Sequence, residues 1–377
     1  MEKERQSIYL TCQRGATRVL KEEMARRHPA FRFSFSRPGF LTYLISGEGV
    51  TSGAAMRDIL ALRTVFARAR TLGLGKVVGK TSGEPVGMAR EVWHVAAAVE
   101  RLGLKVTDIK NVHVWEPDRE DCGRTGFEPG LTPLAQEVRN LIIRTAPAGI
   151  WDESTNGVSP KFSSEARRGD LCLDCVLVSP DQWWLGVHHV SDFHSRFPGG
   201  LMPFVKPDNA VSRAWLKFEE GLRWANFPID PESQCVDIGS SPGGCCQVLL
   251  ARGARVLGVD PADMAPELLA DPRFEHIRNR INQVRRRTFR HSRWFFTDMN
   301  VAPSYTLGTL EELVMRSDIN ARGLLFTLKL LNWELANYIP DYIRRVESWG
   351  FNKIKVRQLQ YNRQEIMMAA LKKPFTK

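Results

Sequence analysis

The sequence predicts an α/β protein of more than one domain, with a doubly wound sheet in its second half. Three observations support this prediction. The strand pattern Cys235–Ile238 runs directly into a Gly-Ser-Ser-Pro-Gly-Gly turn, and a helical pattern follows. A second strand pattern, Arg255–Val259, ends at Asp260. From residue 212 onward helix and strand patterns alternate, as a parallel sheet with helices on both faces requires. Together these features indicate a Rossmann-like, nucleotide-binding sheet.

The first half predicts two small α/β units. The first unit has the order strand, helix, two strands and helix, which is typical of a ferredoxin-like fold. Its elements are Ser7–Cys12, Gly15–His28, a hairpin of Phe31–Phe35 and Phe40–Ile45, and Ala54–Leu62, followed by a link at Leu72–Glu84. The second unit has the helices Arg90–Leu102 and Thr132–Thr145, the strands Asn111–Trp115, Leu171–Val178 and Trp183–Val190, and a polar loop at Glu116–Gly130.

The second half begins with a helix at 212–225 and ends with a hairpin. Besides the two strands named above, strand patterns occur at Trp294–Thr297, Leu324–Leu328, Lys353–Gln360 and Ile366–Leu371. These elements divide the chain into a ferredoxin-like segment, a second α/β segment, a linker and the segment with the doubly wound sheet, with the boundaries 1–75, 76–195, 196–211 and 212–377.

Composition limits the class of protein. The 377 residues include 53 Lys and Arg against 42 Asp and Glu, and the resulting charge of +11 favours a polyanionic partner. Seven scattered cysteines, an odd number, are not a disulfide framework and fit a reduced, cytoplasmic setting. We expect no membrane partner, because the sequence has neither a secretory signal pattern nor an apolar stretch of membrane-spanning length.

The loop after the first strand of the sheet has the residues of a ligand site. Glycines in Gly239–Gly244 let the backbone pass close to a ligand, and Asp260 stands where such sheets hold a ribose by its hydroxyls. The segment lacks the Gly-x-Gly-x-x-Gly fingerprint and the Lys-Ser/Thr ending of a P-loop, so NAD and ATP are poor candidates. Asp-x-Gly-x-x-Pro-Gly-Gly, which starts at Asp237, resembles the S-adenosylmethionine site of FtsJ-type methyltransferases. A glycine turn in an unrelated α/β domain is the alternative.

Four polar residues of the second half occupy positions that a purely structural sequence rarely uses. Asp298 follows a buried strand pattern, at the edge where ligands bind in open α/β sheets. Lys329 interrupts an apolar run, so its ammonium must reach water or pair with an acid. Glu365 precedes the last apolar strand, and Lys217 lies off the apolar stripe of the first helix.

In order and local context, these four residues match the Lys-Asp-Lys-Glu tetrad of 2′-O-ribose methyltransferases. A ribose hydroxyl is a poor nucleophile and needs a base within reach when it attacks a methyl group. A lysine can be this base if burial and a nearby cation lower its pKa, while the acids hold the geometry. Taken singly, Lys217 is better interpreted as a solvated helix residue, and a structural salt bridge explains Glu365 equally well.

The chain resembles the RlmM family, which methylates a ribose in large-subunit ribosomal RNA. Ser212–Glu220 is similar to the family's Ser-Arg-x-x-Leu-Lys-x-Glu-Glu, Asp237–Gly244 to its cofactor loop and Arg357–Glu365 to its closing hairpin. The resemblance is tightest over 212–377. In the first half it covers the order of elements, which fits the family's ferredoxin-like unit and THUMP RNA-binding domain.

The resemblance implies an S-adenosylmethionine-dependent RNA 2′-O-ribose methyltransferase of 23S ribosomal RNA, with cytidine as the acceptor. Lys329 would accept the proton, and Lys217 would be the cation that lowers its pKa. The implied cofactor contacts are Ala214, Asp237, Gly239, Ser241, Pro242, Gly243, Gly244, Asp260, Asn279 and Asp298. The chain departs from the family pattern at two places. Cys245 stands where the family has an aromatic residue, and Asn279-Arg280 stand where the family has an acidic residue near the adenine.

One stretch of the second half concentrates positive charge. It contains seven arginines and no acid: Arg278, Arg280, Arg285, Arg286, Arg287, Arg290 and Arg293. Such a run repels itself without a polyanion, and it lies next to the strand that delivers Asp298, so we expect it to contact RNA phosphates. A solvated charged face is the alternative.

We expect no metal site. Cys172-Leu173-Asp174-Cys175 has metal-ligand spacing, but it lies in a strand pattern and no second pair accompanies it. The nearby His188, His189 and His194 are interpreted as structural or RNA-facing residues.

Two other functions stay open, and the sequence leaves the target nucleotide and the oligomeric state undefined. An RNA base methyltransferase uses other motifs near the fourth strand, and Phe296-Thr297-Asp298-Met299 is not one of them. An RNA-binding or ribosome-assembly factor with a vestigial methyltransferase fold would not need an intact tetrad.

Overall fold

The computed structural model describes residues 6–45, 59, 62–79, 85–150 and 165–372. The chain forms two compact units, Met1–Pro203 and Phe204–Lys377. The division between them falls inside the segment 196–211, which the sequence predicts as a linker. Among the described residues, no helix is both long and apolar enough to cross a membrane.

The first unit is built on a seven-stranded sheet with the order β2-β3-β1-β4-β7-β6-β5. Its strands are β1 (Ser7–Thr11), β2 (Phe31–Arg37), β3 (Phe40–Ile45), β4 (Ala69–Val78), β5 (Ile109–Trp115), β6 (Leu171–Ser179) and β7 (Gln182–His189). Its described α-helices are α1 (Thr17–Arg27), α2 (Pro85–Ala96) and α3 (Pro133–Arg144). The predicted hairpin of β2 and β3 is confirmed, and β5 and β6 are parallel neighbours. The predicted helix Ala54–Leu62 lies almost wholly outside the described residues.

Strand β4 overturns the predicted link at Leu72–Glu84, because residues up to Val78 pair with β1 and β7. The glycines that suggested a link allow close packing inside the sheet instead. A Cβ on Gly73 would lie 2.5 Å from Tyr9 Cζ, and the register with β7 shifts between Gly73 and Gly75. The strands before and after the predicted division at residue 75 therefore share one sheet.

The second unit has a seven-stranded sheet with the order β10-β9-β8-β11-β12-β14-β13. Its strands are β8 (Gln234–Ile238), β9 (Arg255–Val259), β10 (Phe274–Ile277), β11 (Trp294–Thr297), β12 (Gly323–Lys329), β13 (Lys353–Arg357) and β14 (Glu365–Leu371). Its described α-helices are α4 (Ala214–Ala225), α5 (Gly244–Leu250), α6 (Pro266–Leu269), α7 (Pro303–Val314) and α8 (Ile339–Ser348). The predicted α/β fold, its alternating elements and the closing antiparallel hairpin are confirmed.

Strand order determines where a ligand can bind in the second unit. Strands β10, β9, β8, β11 and β12 are parallel, so their carboxyl ends lie at one edge, and β14 is antiparallel to β12 and begins at that edge. The chain leaves β8 toward β9 and β10 and returns to β11 on the other side of β8. This reversal between β8 and β11 is the position at which open α/β sheets bind ligands.

Candidate active site

Four charged side chains meet at this edge in a closed network. Lys217 of α4 and Lys329 at the end of β12 each contact both Asp298, which follows β11, and Glu365, which begins β14. Lys217 Nζ lies 3.1 Å from Glu365 Oε1, and Lys329 Nζ lies 2.8 Å from Asp298 Oδ1. The structure therefore brings all four predicted catalytic residues together, with positive and negative groups alternating.

Burial differs around the network. The side chains of Lys217 and Glu365 are 8% and 3% exposed, whereas those of Lys329 and Asp298 are 15% and 13% exposed. Asp298 and Lys329 thus form the side of the network that solvent and a ligand can reach.

Strand register and helix packing place the two lysines. Lys329 and Glu365 are directly opposite each other in the antiparallel pair of β12 and β14. Lys217 is one turn before Gly221 on α4, and a Cβ on Gly221 would lie 3.2 Å from Met367 Cε and 3.3 Å from Leu325 Cδ2. The small residue lets the helix lie close to the sheet, where Phe218 packs edge-on against Phe296.

Three supporting residues were not singled out from the sequence. Thr327 Oγ1 donates to Asp298 Oδ1 at 2.6 Å, Asn362 Nδ2 donates to Glu365 Oε1 at 3.3 Å, and the buried Glu220 accepts the backbone N–H groups of residues 360 and 361. Thr327 could have been found, because residues two apart on a strand share a face and it precedes Lys329 by two. Asn362 contacts Glu365 only three residues away, whereas Glu220 acts through contacts across the fold that spacing does not reveal.

The network shifts the pKa of Lys329 upward, which is opposite to the expected direction. Burial disfavours the ammonium, but the carboxylates of Glu365 and Asp298 outweigh burial and raise the pKa of Lys329 above its ordinary value of 10.5. The expectation that Lys217 leaves Lys329 with a lowered pKa is therefore wrong for the free protein. Burial likewise favours the neutral form of Glu365, yet Lys217 and Lys329 prevail and lower its pKa to about 2.

The glycine loop after β8 is crowded by protein atoms. Gly239 has φ +74°, and a Cβ there would lie 2.6 Å from Met299 Cγ; Gly243 has φ +119°, and a Cβ there would lie 1.9 Å from Leu268 Cδ1. A Cβ on Gly244 would lie 2.3 Å from Ser212 Oγ. These glycines are therefore required by the loop's own packing and by the close approach of α5 to the start of α4.

The ten predicted cofactor residues divide by exposure. Those that are partly or fully exposed are Ala214, Gly239, Ser241, Pro242, Asp260, Asn279 and Asp298, and those that are buried are Asp237, Gly243 and Gly244. The exposed members border the carboxyl edge of the sheet, where the loop after β8, the end of β9 and the end of β11 come together.

Asp260 at the end of β9 has acceptor capacity left for a ligand. Its Oδ2 accepts the Ser241 N–H at 3.1 Å and its Oδ1 accepts the Ala262 N–H at 2.8 Å. A carboxylate offers about four acceptor positions, so two remain on this partly exposed side chain. A carboxylate beside a glycine loop that can still accept hydrogen bonds fits the ribose hydroxyls of S-adenosylmethionine.

Asp237 lies beneath the loop rather than at its surface. It is 1% exposed, and Cys246 Sγ lies within hydrogen-bond distance of its Oδ2, at 3.2 Å. Burial raises the pKa of Asp237 to about 7; the Cys246 hydrogen bond opposes this rise and the charge of Asp298 adds to it. Its contacts therefore support the start of α5.

The arginine run extends across the sheet instead of clustering beside Asp298. Arg278 and Arg280 follow β10 at the carboxyl edge, whereas Arg293 precedes β11 at the opposite edge. Arg278 pairs with Asp263 and Arg286 with Glu312, both at 2.8 Å, so these two predicted phosphate-binding residues have acidic partners within the protein. Except for the half-buried Arg286, the seven arginines are exposed.

Comparison with known proteins shows that the sequence of this chain is similar to those of methyltransferases. Residues 210–304, which include Lys217 and Asp298, match the FtsJ-like methyltransferase family model. The chain is 31% identical over 309 residues to Ribosomal RNA large subunit methyltransferase M of Halorhodospira halophila, covering 81% of this chain and 80% of that protein. Proteins of the same name from Laribacter hongkongensis and Haemophilus influenzae are 26% and 27% identical, over 70% and 84% of this chain and 71% and 85% of those proteins.

We expect Glu365→Gln to destabilise the chain by about 3–5 kcal/mol, because it leaves two lysines with one carboxylate in a mostly buried network. The pKa of Glu365 is lowered by folding, so its stabilisation is present above its ordinary pKa of 4.5 and is lost as the pH falls toward about 2. Chemical denaturation at pH 7 and at several acid pH values measures both effects.

Glu219→Gln is the matched control. Glu219 lies on the same helix as Lys217, but its partners Arg223 and Arg252 are 56% and 29% exposed and can return to water. We expect a loss of about 1 kcal/mol or less. Equal losses in the two variants would contradict the special role of the network.

Proposed function

The chain belongs to the family of Ribosomal RNA large subunit methyltransferase M, and we propose that its charged network activates a ribose 2′-hydroxyl of large-subunit ribosomal RNA. The protein is an S-adenosylmethionine-dependent RNA methyltransferase. The observation that carries the proposal is the convergence of Lys217, Asp298, Lys329 and Glu365 beside the glycine loop.

The cofactor would bind across the carboxyl ends of β8, β9 and β11. Asp260 would accept the hydroxyls of its ribose, and the loop around Ser241 would lie along the adenosyl group. Asn279 and Arg280 follow β10 and would border the adenine. When bound, S-adenosylmethionine supplies an electrophilic methyl group and a positive charge.

Lys329 would take the proton of the acceptor hydroxyl, and for this its side chain must first be neutral. The carboxylates of Asp298 and Glu365 raise its pKa in the free protein, so the chain alone keeps the ammonium charged. A second cation nearby disfavours the ammonium. We therefore propose that Lys329 loses its proton only when cofactor and RNA are bound, while Lys217 keeps the two carboxylates in place.

The acceptor nucleotide would enter from the side of Lys329. A groove of about 490 Å³ includes Leu331, which is two residues after Lys329 in sequence, and its lining also includes Pro303, Asn332, Leu335, Tyr342 and Arg345. Leu331 is 63% exposed, although a leucine gains from burial. An apolar wall with an aromatic ring and an amide suits a nucleobase whose ribose points at Lys329. Cytidine is the base we propose.

The first unit would capture RNA, and the second would perform the chemistry. The net charge of +11 favours phosphate contacts, and the exposed arginines after β10 would add such contacts from the second unit. The proposed reaction requires no metal ion. All seven cysteines are free and buried, which agrees with the cytoplasm as the proposed location.

We expect Asp260→Ala to weaken S-adenosylmethionine binding by about 1.5–3 kcal/mol, as for the loss of hydrogen bonds to a charged group. Isothermal titration calorimetry measures the affinity. Asp263→Ala is the control, since the carboxylate of Asp263 is exposed in the same loop and pairs with Arg278. Unchanged affinity in Asp260→Ala, or an equal loss in Asp263→Ala, would remove Asp260 from the site.

We expect Lys329→Ala to lower the single-turnover rate of methyl transfer by about 10²–10⁴-fold, the usual contribution of a general base. Cofactor affinity should stay nearly unchanged, because the lysine addresses the acceptor hydroxyl. Lys329→Arg should fail as well, since a guanidinium stays protonated. Radiolabelled methyl transfer to RNA measures the rate.

Two further measurements test the acceptor hydroxyl and the protonation state of Lys329. Target RNA with a 2′-deoxy substitution at the modified nucleotide should bind normally and accept no methyl group. With normal RNA, the wild-type rate should rise about tenfold per pH unit below the pKa of Lys329, because the neutral amine is the reactive form. Methylation of the deoxy substrate would overturn the ribose assignment.

We expect RNA affinity to depend on the first unit. The full chain should bind structured RNA with an affinity that falls steeply with salt, because phosphate contacts release counterions. A fragment of residues 204–377, the second compact unit, should keep S-adenosylmethionine binding and lose most RNA affinity. Equal RNA affinity of fragment and full chain, measured by fluorescence anisotropy, would contradict this division.

A further inference from the structure

A second cluster of reactive side chains lies in the first unit, far from the proposed chemistry in sequence. His113 of β5, Cys172 and Asp174 of β6 and His188 of β7 occupy one face of three neighbouring strands. His113 is opposite Asp174 and Cys172 is opposite His188 in the strand register. Cys172 and Asp174 are two residues apart, so both point to the same face.

The potential ligand atoms of this cluster converge. One ligand atom each from His113, Cys172 and His188 lie within 4.8 Å of one another. Cys172 Sγ is 3.9 Å from His113 Nε2, and Asp174 Oδ2 is 2.7 Å from His188 Nδ1. All four residues are buried, with His113 and Cys172 fully excluded from solvent.

Two buried polar atoms of the cluster lack a hydrogen bond within the described part of the chain. They are His113 Nδ1 and Asp174 Oδ1, which lie 3.8 Å apart. Buried polar atoms are nearly always satisfied, so each such pair needs an explanation. A bound cation that drew the cluster together would bring this nitrogen and this oxygen into hydrogen-bond range.

We propose that the cluster is a structural Zn²⁺ site with His113 Nε2, Cys172 Sγ, His188 Nδ1 and Asp174 Oδ2 as ligands. Two imidazoles, a thiolate and a carboxylate are the donor types that Zn²⁺ prefers, and four protein ligands make a closed tetrahedral site. One thiolate and one carboxylate also neutralise the charge of the ion, which burial demands.

The surroundings of His188 agree with a metal ligand. Its second ring nitrogen, Nε2, lies 2.9 Å from the backbone oxygen of Ser195. Metal-bound histidines almost always donate their other N–H to a carbonyl or carboxylate, which fixes the ring. Thr71 Oγ1 donates to Asp174 Oδ2 and holds the carboxylate in the same way.

The proposed ligands differ from the pair that sequence spacing offers. Cys175 is three residues from Cys172 on β6, so it lies on the opposite face of the sheet and cannot share an ion with it. The proposal also departs from the expectation of no metal, because spacing cannot reveal ligands supplied by three strands.

Zinc content of the full chain tests this proposal. The protein is produced in zinc-supplemented medium, freed of any affinity tag, dialysed against metal-free buffer and analysed by mass spectrometry for metals. We expect about one zinc per chain, as for a single closed site whose binding is coupled to folding. Cys172→Ala should lower this ratio at least tenfold, and Cys175→Ala, a buried cysteine of the same strand, should leave it unchanged.

Cobalt substitution keeps the test decisive if Cys172→Ala folds poorly. Wild-type chain loaded with Co²⁺ should show the visible absorption of a tetrahedral site and a thiolate charge-transfer band, and both should persist in Cys175→Ala. Less than about a tenth of a zinc per wild-type chain, with no cobalt spectrum, would overturn the proposal and leave an Asp174–His188 ion pair. Equal zinc loss in both cysteine variants would also overturn it.

Discussion

The second unit depends on one constraint: four charges that are mostly removed from water must neutralise one another. Lys217, Asp298, Lys329 and Glu365 come from a helix, the end of a parallel strand, the end of its neighbour and the start of an antiparallel strand. Each ion is stable there only if the other three are in place, because an unpaired buried charge costs several kcal/mol. The close approach of α4 at Gly221 and the hydrogen bonds of Glu220 to the loop before β14 are therefore requirements of this network.

The same pairing that stabilises the fold works against the proposed chemistry. Two carboxylates stabilise the ammonium form of Lys329, so less of the neutral amine that can accept a proton is present. A base held in this way is inactive until other charges change the balance, and the side of the network that faces solvent is the side where they can do so. In the proposed mechanism, proton removal is therefore confined to the complex in which a methyl group is available.

Local patterns in the sequence predicted most of the elements, because burial imposes a period of two or 3.6 on apolar residues. They also singled out the four charged residues, because Lys329 interrupts an apolar run, Asp298 and Glu365 border strand patterns and Lys217 lies off its helix's apolar stripe. The resemblance to 2′-O-ribose methyltransferases joined the four into a tetrad. Local patterns failed where a residue's role depends on partners distant in sequence. Gly73 resembled a linker residue because the ring of Tyr9, which requires a glycine there, is on another strand. The pKa of Lys329 was expected to fall because a general base must be neutral and Lys217 is a nearby cation. The strand register that places Glu365 opposite Lys329, and so helps to raise this pKa, is not visible locally.

The charged network of the second unit and the histidine and cysteine cluster of the first unit follow the same geometric rule with opposite outcomes. In each, residues two apart on a strand share a face: Thr327 and Lys329 on β12, Cys172 and Asp174 on β6. Facing strands then supply the partners. Exposure separates the functions. Lys329 and Asp298 remain partly open at a sheet edge, where a substrate can reach them, whereas Cys172 and His113 lie under the surface of the first unit. A closed cluster cannot contact RNA, so the proposed Zn²⁺ would act by making the sheet of the first unit more rigid.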